Sequence, residues 1–260
     1  MSLPALRMTL RLRMLTTLLS ALGLVVVIVM VGALFPAVGH SIGRLDLPEG
    51  VSTLLGGADY GTLTGWMRSE IAAIYGPLLV AYTGISVATA STAGEEEAGV
   101  LALTLAHPIE RTRLVLAKAV AVAISVALVA LAAFAGLLAD VAVADGGIPL
   151  SGTAAVAVHL AFFGWAAGAL ALALAASSGR RALASGGAAA FVLLGFLVNG
   201  FAPLVAAIDW LKYLSLFYYY EGHDPIANGV DPGELAVLGV AALGLTAVAV
   251  LGLRHRDLRR

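Results

Sequence analysis

Six long apolar stretches divide this chain, and none of them contains a charged residue. They occupy residues 15–35, 71–92, 119–139, 153–176, 182–208 and 235–253. A helix that crosses the hydrocarbon core of a membrane needs about 20 such residues. The alternation of apolar and polar positions that would indicate strands is absent. The pattern therefore predicts an all-α membrane protein with six transmembrane helices.

The composition agrees with lipid as the main solvent. The chain is 60% hydrophobic and only 12% charged, whereas a soluble domain carries about 25% charged residues. It contains no cysteine, which excludes disulfides and thiolate chemistry. The length suits one membrane domain, so we expect residues 1–260 to form a single transmembrane domain.

Positive charge predicts the orientation. If the N-terminus is cytoplasmic, three Lys or Arg residues lie outside, namely Arg44, Arg68 and Lys212. The other twelve lie inside, namely Arg7, Arg11, Arg13, Arg111, Arg113, Lys118, Arg180, Arg181, Arg254, Arg256, Arg259 and Arg260. Because Lys and Arg concentrate on the cytoplasmic side, we expect a multi-pass protein of the cell membrane with both termini in the cytoplasm. The first stretch is too long for the core of a signal peptide, so we expect it to span the membrane.

The connection before the sixth stretch is rich in aromatic residues. Trp210, Tyr213, Phe217 and Tyr220 follow one another at helical spacing. Such side chains favour the headgroup layer, where their apolar rings and polar tips are both accommodated. The spacing predicts a short interfacial or re-entrant helix; the alternative is a loop anchored by its aromatic side chains.

The connection between the second and third stretches, residues 93–118, carries the candidate chemistry. Three consecutive glutamates open it, and a short amphipathic run follows at residues 100–105. Pro108 and a charge cluster then precede the third stretch. Such a helix would lie at the bilayer surface and present charge to the cytoplasm. A docking surface for a soluble partner and a solvated connecting loop explain this pattern equally well.

The same segment resembles the corresponding loop of ABC-2 type transporter permeases. The matching positions are Glu96, Glu97, Gly99, Leu101, Pro108, Ile109, Arg111 and Lys118. Val100 stands where that family often has Thr, and Ala98 where it often has an acid. Residues 214–229 and the basic ending at 254–258 also resemble the family, so the likeness extends over almost the whole chain.

The resemblance implies a permease domain with a cytoplasmic coupling helix between spans 2 and 3. It implies export of a hydrophobic or amphiphilic substrate such as a drug, an antibiotic or a lipid. Two copies of a separate ATPase subunit would bind ATP and Mg, and a second permease, identical or similar, would complete a dimer. The residues expected at the ATPase contact are Glu95, Glu96, Glu97, Gly99, Leu101, Pro108, Glu110, Arg111 and Arg113. No phosphate-binding G-x-x-x-x-G-K-[ST] motif occurs, so we expect no cofactor in this chain itself.

The sequence offers little support for two other classes of function. A secondary transporter or channel should place ionisable groups in mid-membrane or show inverted repeats, and neither is evident. A membrane-embedded enzyme should show catalytic side chains at one depth, and no such set is found. The histidines lack metal-ligand spacing, and the basic tail suits lipid headgroups without any nucleic acid. His159 and Asn199 are polar residues inside apolar stretches and are candidates for a substrate path.

Overall fold

The computed structural model describes residues 2–39, 41, 61–106, 109–143 and 149–256. Six of its helical segments are long and apolar enough to cross a membrane. Spans 1 to 6 are Leu3–Val38, Leu63–Glu97, Arg111–Asp140, Leu150–Ser178, Arg181–Leu204 and Pro232–His255. No strand occurs in the described ranges. The predicted all-α membrane class is confirmed.

Several spans are composite. Span 1 is the α-helix Leu3–Leu34 followed by the π-helical turn Phe35–Gly39. Span 2 joins the α-helices Leu63–Met67 and Gly76–Ser91 through the π-helical Arg68–Tyr75, and Ala93–Glu97 follows. Span 3 lies within the α-helix Arg111–Val143, and span 4 is the α-helix Leu150–Ser178. Span 5 is Arg181–Phe201 with the 3-10 turn Ala202–Leu204, and span 6 is Pro232–His255.

Most helices extend beyond the apolar stretches that predict them. Span 1 begins at Leu3 rather than at residue 15, and span 3 begins at Arg111 rather than at residue 119. Part of the predicted loop 93–118 therefore belongs to span 3. The α-helix of span 5, in contrast, ends at Phe201, before the predicted residue 208. An apolar stretch marks only the part of a helix that crosses the hydrocarbon core. The backbone hydrogen bonds of the helix continue beyond it into the polar layer of the membrane.

Span 4 lies at the centre of the bundle and packs against spans 2, 3, 5 and 6. Spans 2 and 4 meet through glycines: a Cβ added at Gly84 would lie 2.5 Å from the carbonyl oxygen of Gly164 and 3.1 Å from Gly168. Small residues allow such close backbone contact, which favours helix association in lipid. Spans 1, 5 and 6 are the least enclosed and present most of their surface outward.

The start of span 1 and the end of span 6 lie at the same end of the bundle, which we call the terminal face. There Arg13 of span 1 donates a hydrogen bond of 2.9 Å to the carbonyl of Ala90 in span 2. Arg111 at the start of span 3 donates one of 2.9 Å to Leu253 near the end of span 6. The other end of the bundle is called the opposite face.

The aromatic segment on the opposite face forms two short helices rather than one. Asp209–Leu214 is a 3-10 helix, and Leu216–Glu221 is an α-helix. Ser215 separates them with extended backbone and caps the second helix by accepting a hydrogen bond from the Phe217 amide. Short helices therefore precede span 6 as predicted, but the four spaced aromatics are divided between two of them, because a serine that can cap a helix ends the periodicity.

The two aromatic pairs have different surroundings as a result. Trp210 and Tyr213 in the first helix are exposed, whereas Phe217 and Tyr220 in the second are buried. The Phe163 ring of span 4 packs against both buried rings, with centroids 4.8 and 5.3 Å away. The Tyr220 hydroxyl donates a 2.7 Å hydrogen bond to Ala72 of span 2.

Candidate functional site

The segment between spans 2 and 3 lies on the terminal face and contains two short helices. The first, Ala93–Glu97, ends span 2, and the second, Val100–Leu105, follows after a turn at Gly99. Gly99 has a φ of 74°, which is strained for residues with a side chain. Leu101 is fully buried and anchors the second helix, whereas Leu103 is exposed. The helix predicted at residues 100–105 is therefore present and has a buried and an exposed side.

Glu95 connects this segment to span 3. Its carboxylate lies 2.6 Å from the Lys118 ammonium group, which is almost fully buried. Lys118 also donates a short hydrogen bond to the carbonyl of Ser91 at the end of span 2. A buried ammonium group requires such partners, because an unpaired charge away from water is costly. The pair therefore joins the ends of spans 2 and 3.

Glu96 connects the same segment to span 6. The Arg256 guanidinium donates a 2.9 Å hydrogen bond from Nη1 to one Glu96 carboxylate oxygen and a shorter one from Nη2 to the other. The Glu96 side chain is only 2% exposed. Arg256 Nε donates a third hydrogen bond, 3.2 Å long, to Ala176 near the end of span 4. This bidentate geometry is the strongest that an Arg–carboxylate pair can adopt.

Gly179 makes room for this arginine. It follows span 4 with a φ of 62°, and a Cβ added there would overlap Arg256 Nη1. Glycine is thus favoured at this position both by the backbone conformation and by the space that the guanidinium occupies. Neither requirement is visible in the sequence around residue 179.

Glu97 caps span 5. Its carboxylate accepts a 2.8 Å hydrogen bond from the backbone amide of Arg181, the first residue of that span. The first amides of a helix lack intrahelical partners, and a carboxylate there also complements the helix dipole. Unlike Glu96, the Glu97 residue is exposed.

The start of span 3 contains one inward and one outward arginine. Arg111 Nη1 donates hydrogen bonds of 2.9 and 2.8 Å to the carbonyls of Leu253 and Arg256. Arg113 forms an exposed 2.9 Å ion pair with Glu110. Arg111 therefore holds the end of span 6, whereas the Glu110–Arg113 pair faces away from the bundle.

The predicted contact residues thus fall into two groups. Glu95, Glu96 and Arg111 are engaged with other spans of the same chain, and Leu101 is in the core. Glu97, Gly99, Glu110 and Arg113 are exposed. Pro108 lies outside the described residues. The ATPase contact itself stays a prediction.

The intrachain partners Arg256, Arg181 and Gly179 were missed by the sequence reasoning. Arg256 and Arg181 appeared only as charges that orient the chain. Arg256 is 160 residues from Glu96, and Arg181 is 84 residues from Glu97. Only the packing of spans 2, 4, 5 and 6 brings them together.

A groove of about 490 Å³ runs along the side of the bundle between spans 2 and 5. Its walls are mostly apolar, and its polar lining includes Arg181 at the terminal face. It is lined by Leu78, Ala81, Tyr82, Ile85, Ser86, Thr89, Arg181, Ser185, Gly186, Ala189, Val192 and Leu193. The groove can hold a molecule with an apolar body and a polar group.

The two polar candidates for a substrate path do not line this groove. His159 is fully buried in span 4, and its Nδ1 bonds the carbonyl of Ala155 at 2.9 Å. Its Nε2 faces a Glu234 carboxylate oxygen of span 6 at 3.9 Å. Asn199 is partly exposed near the end of span 5. Their role in transport stays a prediction.

The opposite face carries a second polar group. Arg68 of span 2 forms a 2.7 Å ion pair with Asp224. Glu221 lies beside them, and its Oε1 has no hydrogen-bond partner among the described residues. Burial raises the pKa of Glu221 to about 7, although the Arg68 charge acts in the other direction. This carboxyl therefore titrates near neutral pH.

Six apolar helices, with span 4 at the centre and a groove between spans 2 and 5, define a multi-pass α-helical membrane protein. Residues 4–254 match the model of the family described as multidrug efflux system permease Rv1217c, C-terminal domain. Because the match covers nearly the whole chain, the chain belongs to this family. It is thus a permease, as the sequence predicts, and a transport subunit rather than an enzyme. No curated protein matches the chain.

Proposed function

We propose that this chain is the membrane-spanning permease subunit of an ATP-driven exporter of the ABC-2 type. A separate ATPase would bind ATP and Mg, and two ATPase copies would serve a pair of permeases. The protein would lie in the cell membrane with its terminal face in the cytoplasm. The family match to multidrug efflux permeases supports the transport role, and the segment on the terminal face supports the coupling.

The observation that carries the proposal is the exposed surface of that segment. Glu97 and Gly99 are exposed at the turn, and Leu103 is 70% exposed on the following helix. The Glu110–Arg113 pair adds opposite charges beside them. An apolar side chain flanked by charges suits a protein partner better than lipid, because interfaces combine an apolar centre with a polar rim.

The division into inward and outward residues refines the predicted contact. Glu97, Glu110 and Arg113 would touch the ATPase, together with the exposed side of the helix Val100–Leu105. Glu95, Glu96 and Arg111 would not touch the ATPase. They would hold this surface in place by bonding it to spans 3 and 6. Charge reversal in the first group should therefore weaken partner binding more than it weakens folding.

The groove between spans 2 and 5 is the proposed substrate path. Its volume of about 490 Å³ falls within the range of about 300–1,000 Å³ that is typical of small-molecule sites. Span 5 is among the least enclosed spans, so a second permease could cover the open side of the groove. Apolar walls with Ser86, Thr89 and Ser185 favour hydrophobic or amphiphilic molecules over ions.

The test is purification of the tagged permease from its native membranes and analysis of what is retained. We expect a co-purifying ATPase in equal numbers with the permease, and ATP-dependent movement of ethidium in vesicles that contain the complex. Glu97→Lys combined with Arg113→Glu should reduce the retained ATPase roughly tenfold, as expected for the loss of interface charges. Arg7→Glu, on the exposed side of span 1, is the matched control.

Transport driven by a proton gradient in the absence of ATP would contradict the proposal and favour a secondary transporter. Full retention of the ATPase by the charge-reversed variant would contradict the assigned contact surface and leave the transport function standing.

A further inference from the structure

We propose that Arg256 is a positioning residue that makes the docking segment, residues 93–105, and the ends of spans 4 and 6 move as one body. This inference rests on the proposed function. In it, ATPase movement reaches spans 4 and 6 through the Glu96–Arg256 pair, and the pair stays closed throughout the transport cycle.

Arg256 is bonded on three sides. Its guanidinium holds Glu96 of the docking segment with two hydrogen bonds and Ala176 of span 4 with a third. Its own carbonyl accepts a 2.8 Å hydrogen bond from Arg111 at the start of span 3. One residue after the last helix thus contacts the ends of spans 2, 3 and 4.

The Glu96–Arg256 ion pair is enclosed by protein and would be costly to open. The Glu96 side chain is 2% exposed and that of Arg256 is 19% exposed. Opening a pair so enclosed would leave charge away from water without compensation, which is costly. A contact whose opening requires much free energy behaves as a rigid link rather than as a switch.

The residues around the Glu96–Arg256 pair leave room for this link. Gly179 leaves the volume into which the guanidinium fits, and it does so in a conformation that favours glycine. The neighbouring Arg254, two residues away, is exposed. A general need for positive charge near the membrane would be met by Arg254, whereas a mechanical link requires the contacts that Arg256 makes and Arg254 does not.

The first experiment compares variants in the complex of permease and co-purified ATPase, reconstituted in vesicles of phosphatidylethanolamine and phosphatidylglycerol. Arg256→Glu should lower ethidium transport per ATP hydrolysed roughly tenfold, within the usual range of coupling between sites. ATPase retention should fall far less than transport, because the exposed residues proposed to contact the ATPase are unchanged. Arg254→Glu is the control and should transport normally. Charge exchange, Glu96→Arg with Arg256→Glu, should recover much of the lost coupling.

The second experiment uses the absence of cysteine in the chain. Glu96→Cys with Arg256→Cys removes the ion pair and introduces two unique thiols. The reduced variant should be uncoupled, and joining the thiols with a short bis-maleimide should restore transport. Recovery on cross-linking also demonstrates that the variant is folded.

Two results would overturn the inference. One is normal coupling in both Arg256→Glu and the reduced double-cysteine variant. The other is a cross-linked protein that hydrolyses ATP but does not transport, because the pair would then have to open. If wild-type protein lacks ATP-driven transport, the proposed function itself fails, which is a separate outcome.

Discussion

Glu96 and Arg256 are 160 residues apart in sequence, yet their side chains form a bidentate ion pair at the terminal face. The glutamate belongs to the segment that leaves span 2, and the arginine follows span 6. This contact joins the segment after span 2 to the residue that follows span 6. The stability of the protein therefore depends in part on this segment of the terminal face.

Loss of one partner should therefore be costly. Glu96→Gln removes the negative charge and leaves a mostly buried guanidinium without its counter-ion, so we expect a loss of about 3 kcal/mol in unfolding free energy. The measurement is thermal unfolding of the purified protein in detergent.

Glu97→Gln is the control for this substitution. It affects an exposed carboxylate that caps Arg181, so its cost should be about 1 kcal/mol or less. Equal unfolding temperatures for the two variants would contradict the central role of the Glu96–Arg256 pair.

Two glycines of similar backbone conformation should respond differently to alanine. Gly99 and Gly179 have φ values of 74° and 62°, so each substitution adds backbone strain of about 1 kcal/mol. Only at Gly179 does the added Cβ also overlap Arg256, whereas at Gly99 nothing lies within 4 Å. We expect Gly179→Ala to lower the unfolding temperature clearly more than Gly99→Ala. A similar effect of the two substitutions would indicate that the Arg256 side chain relaxes at no cost.

Filling the lateral groove should change transport without unfolding the protein. Gly186 lines the groove, and a Cβ there meets nothing within 4 Å. Gly186→Leu should therefore reduce transport of large amphiphiles more than transport of small ones, at a stability cost below about 1 kcal/mol.

Gly244→Leu is the matched control, because this glycine also has open space around it but lies in span 6, outside the groove. The measurement is initial efflux rate for dyes of increasing size. Identical size profiles for wild type and Gly186→Leu would contradict the assignment of the substrate path.

Stability should depend on pH through Glu221. Burial raises the pKa of this carboxyl from 4.5 to about 7, so the folded state holds its proton more tightly than the unfolded state. The resulting stabilisation is complete below pH 4.5 and is lost as the pH rises to about 7. We expect a loss on the order of 3 kcal/mol across this window.

The measurement is the unfolding temperature of wild type and of Glu221→Gln between pH 4.5 and 8.5. The glutamine variant cannot ionise, so its unfolding temperature should change less over this range. Parallel curves for the two proteins would show that Glu221 does not titrate in this window.

Much of the fold can be read from the sequence because a lipid solvent imposes strong rules. Uncharged runs of about 20 residues predict transmembrane helices. The number and order of the six predicted helices agree with those of the structure. Boundaries were less accurate, since polar residues such as Arg7 and Arg11 extend span 1 without contributing to the apolar count. The aromatic segment shows the same limit, because periodicity did not reveal that Ser215 would divide it into two helices.

The sequence predicted where the short helix of the candidate site lies but not the contacts that its segment makes, and the ATPase contact stays a prediction. The short helix Val100–Leu105 follows from its amphipathic pattern. The sequence alone could not show that Glu95 and Glu96 face inward, because their partners Lys118 and Arg256 are supplied by other spans. Nor could it show the groove, which exists only where span 2 lies beside span 5.

The sequence by itself determined that lipid is the main solvent, how many helices cross it and where the charged segment lies. Each of these depends on local runs of apolar or charged side chains. The tertiary structure alone decided which charged side chains pair with other residues inside the protein and which remain exposed at its surface. That outcome depends on distances between residues far apart in the chain, and the packing of glycine-lined helices sets those distances.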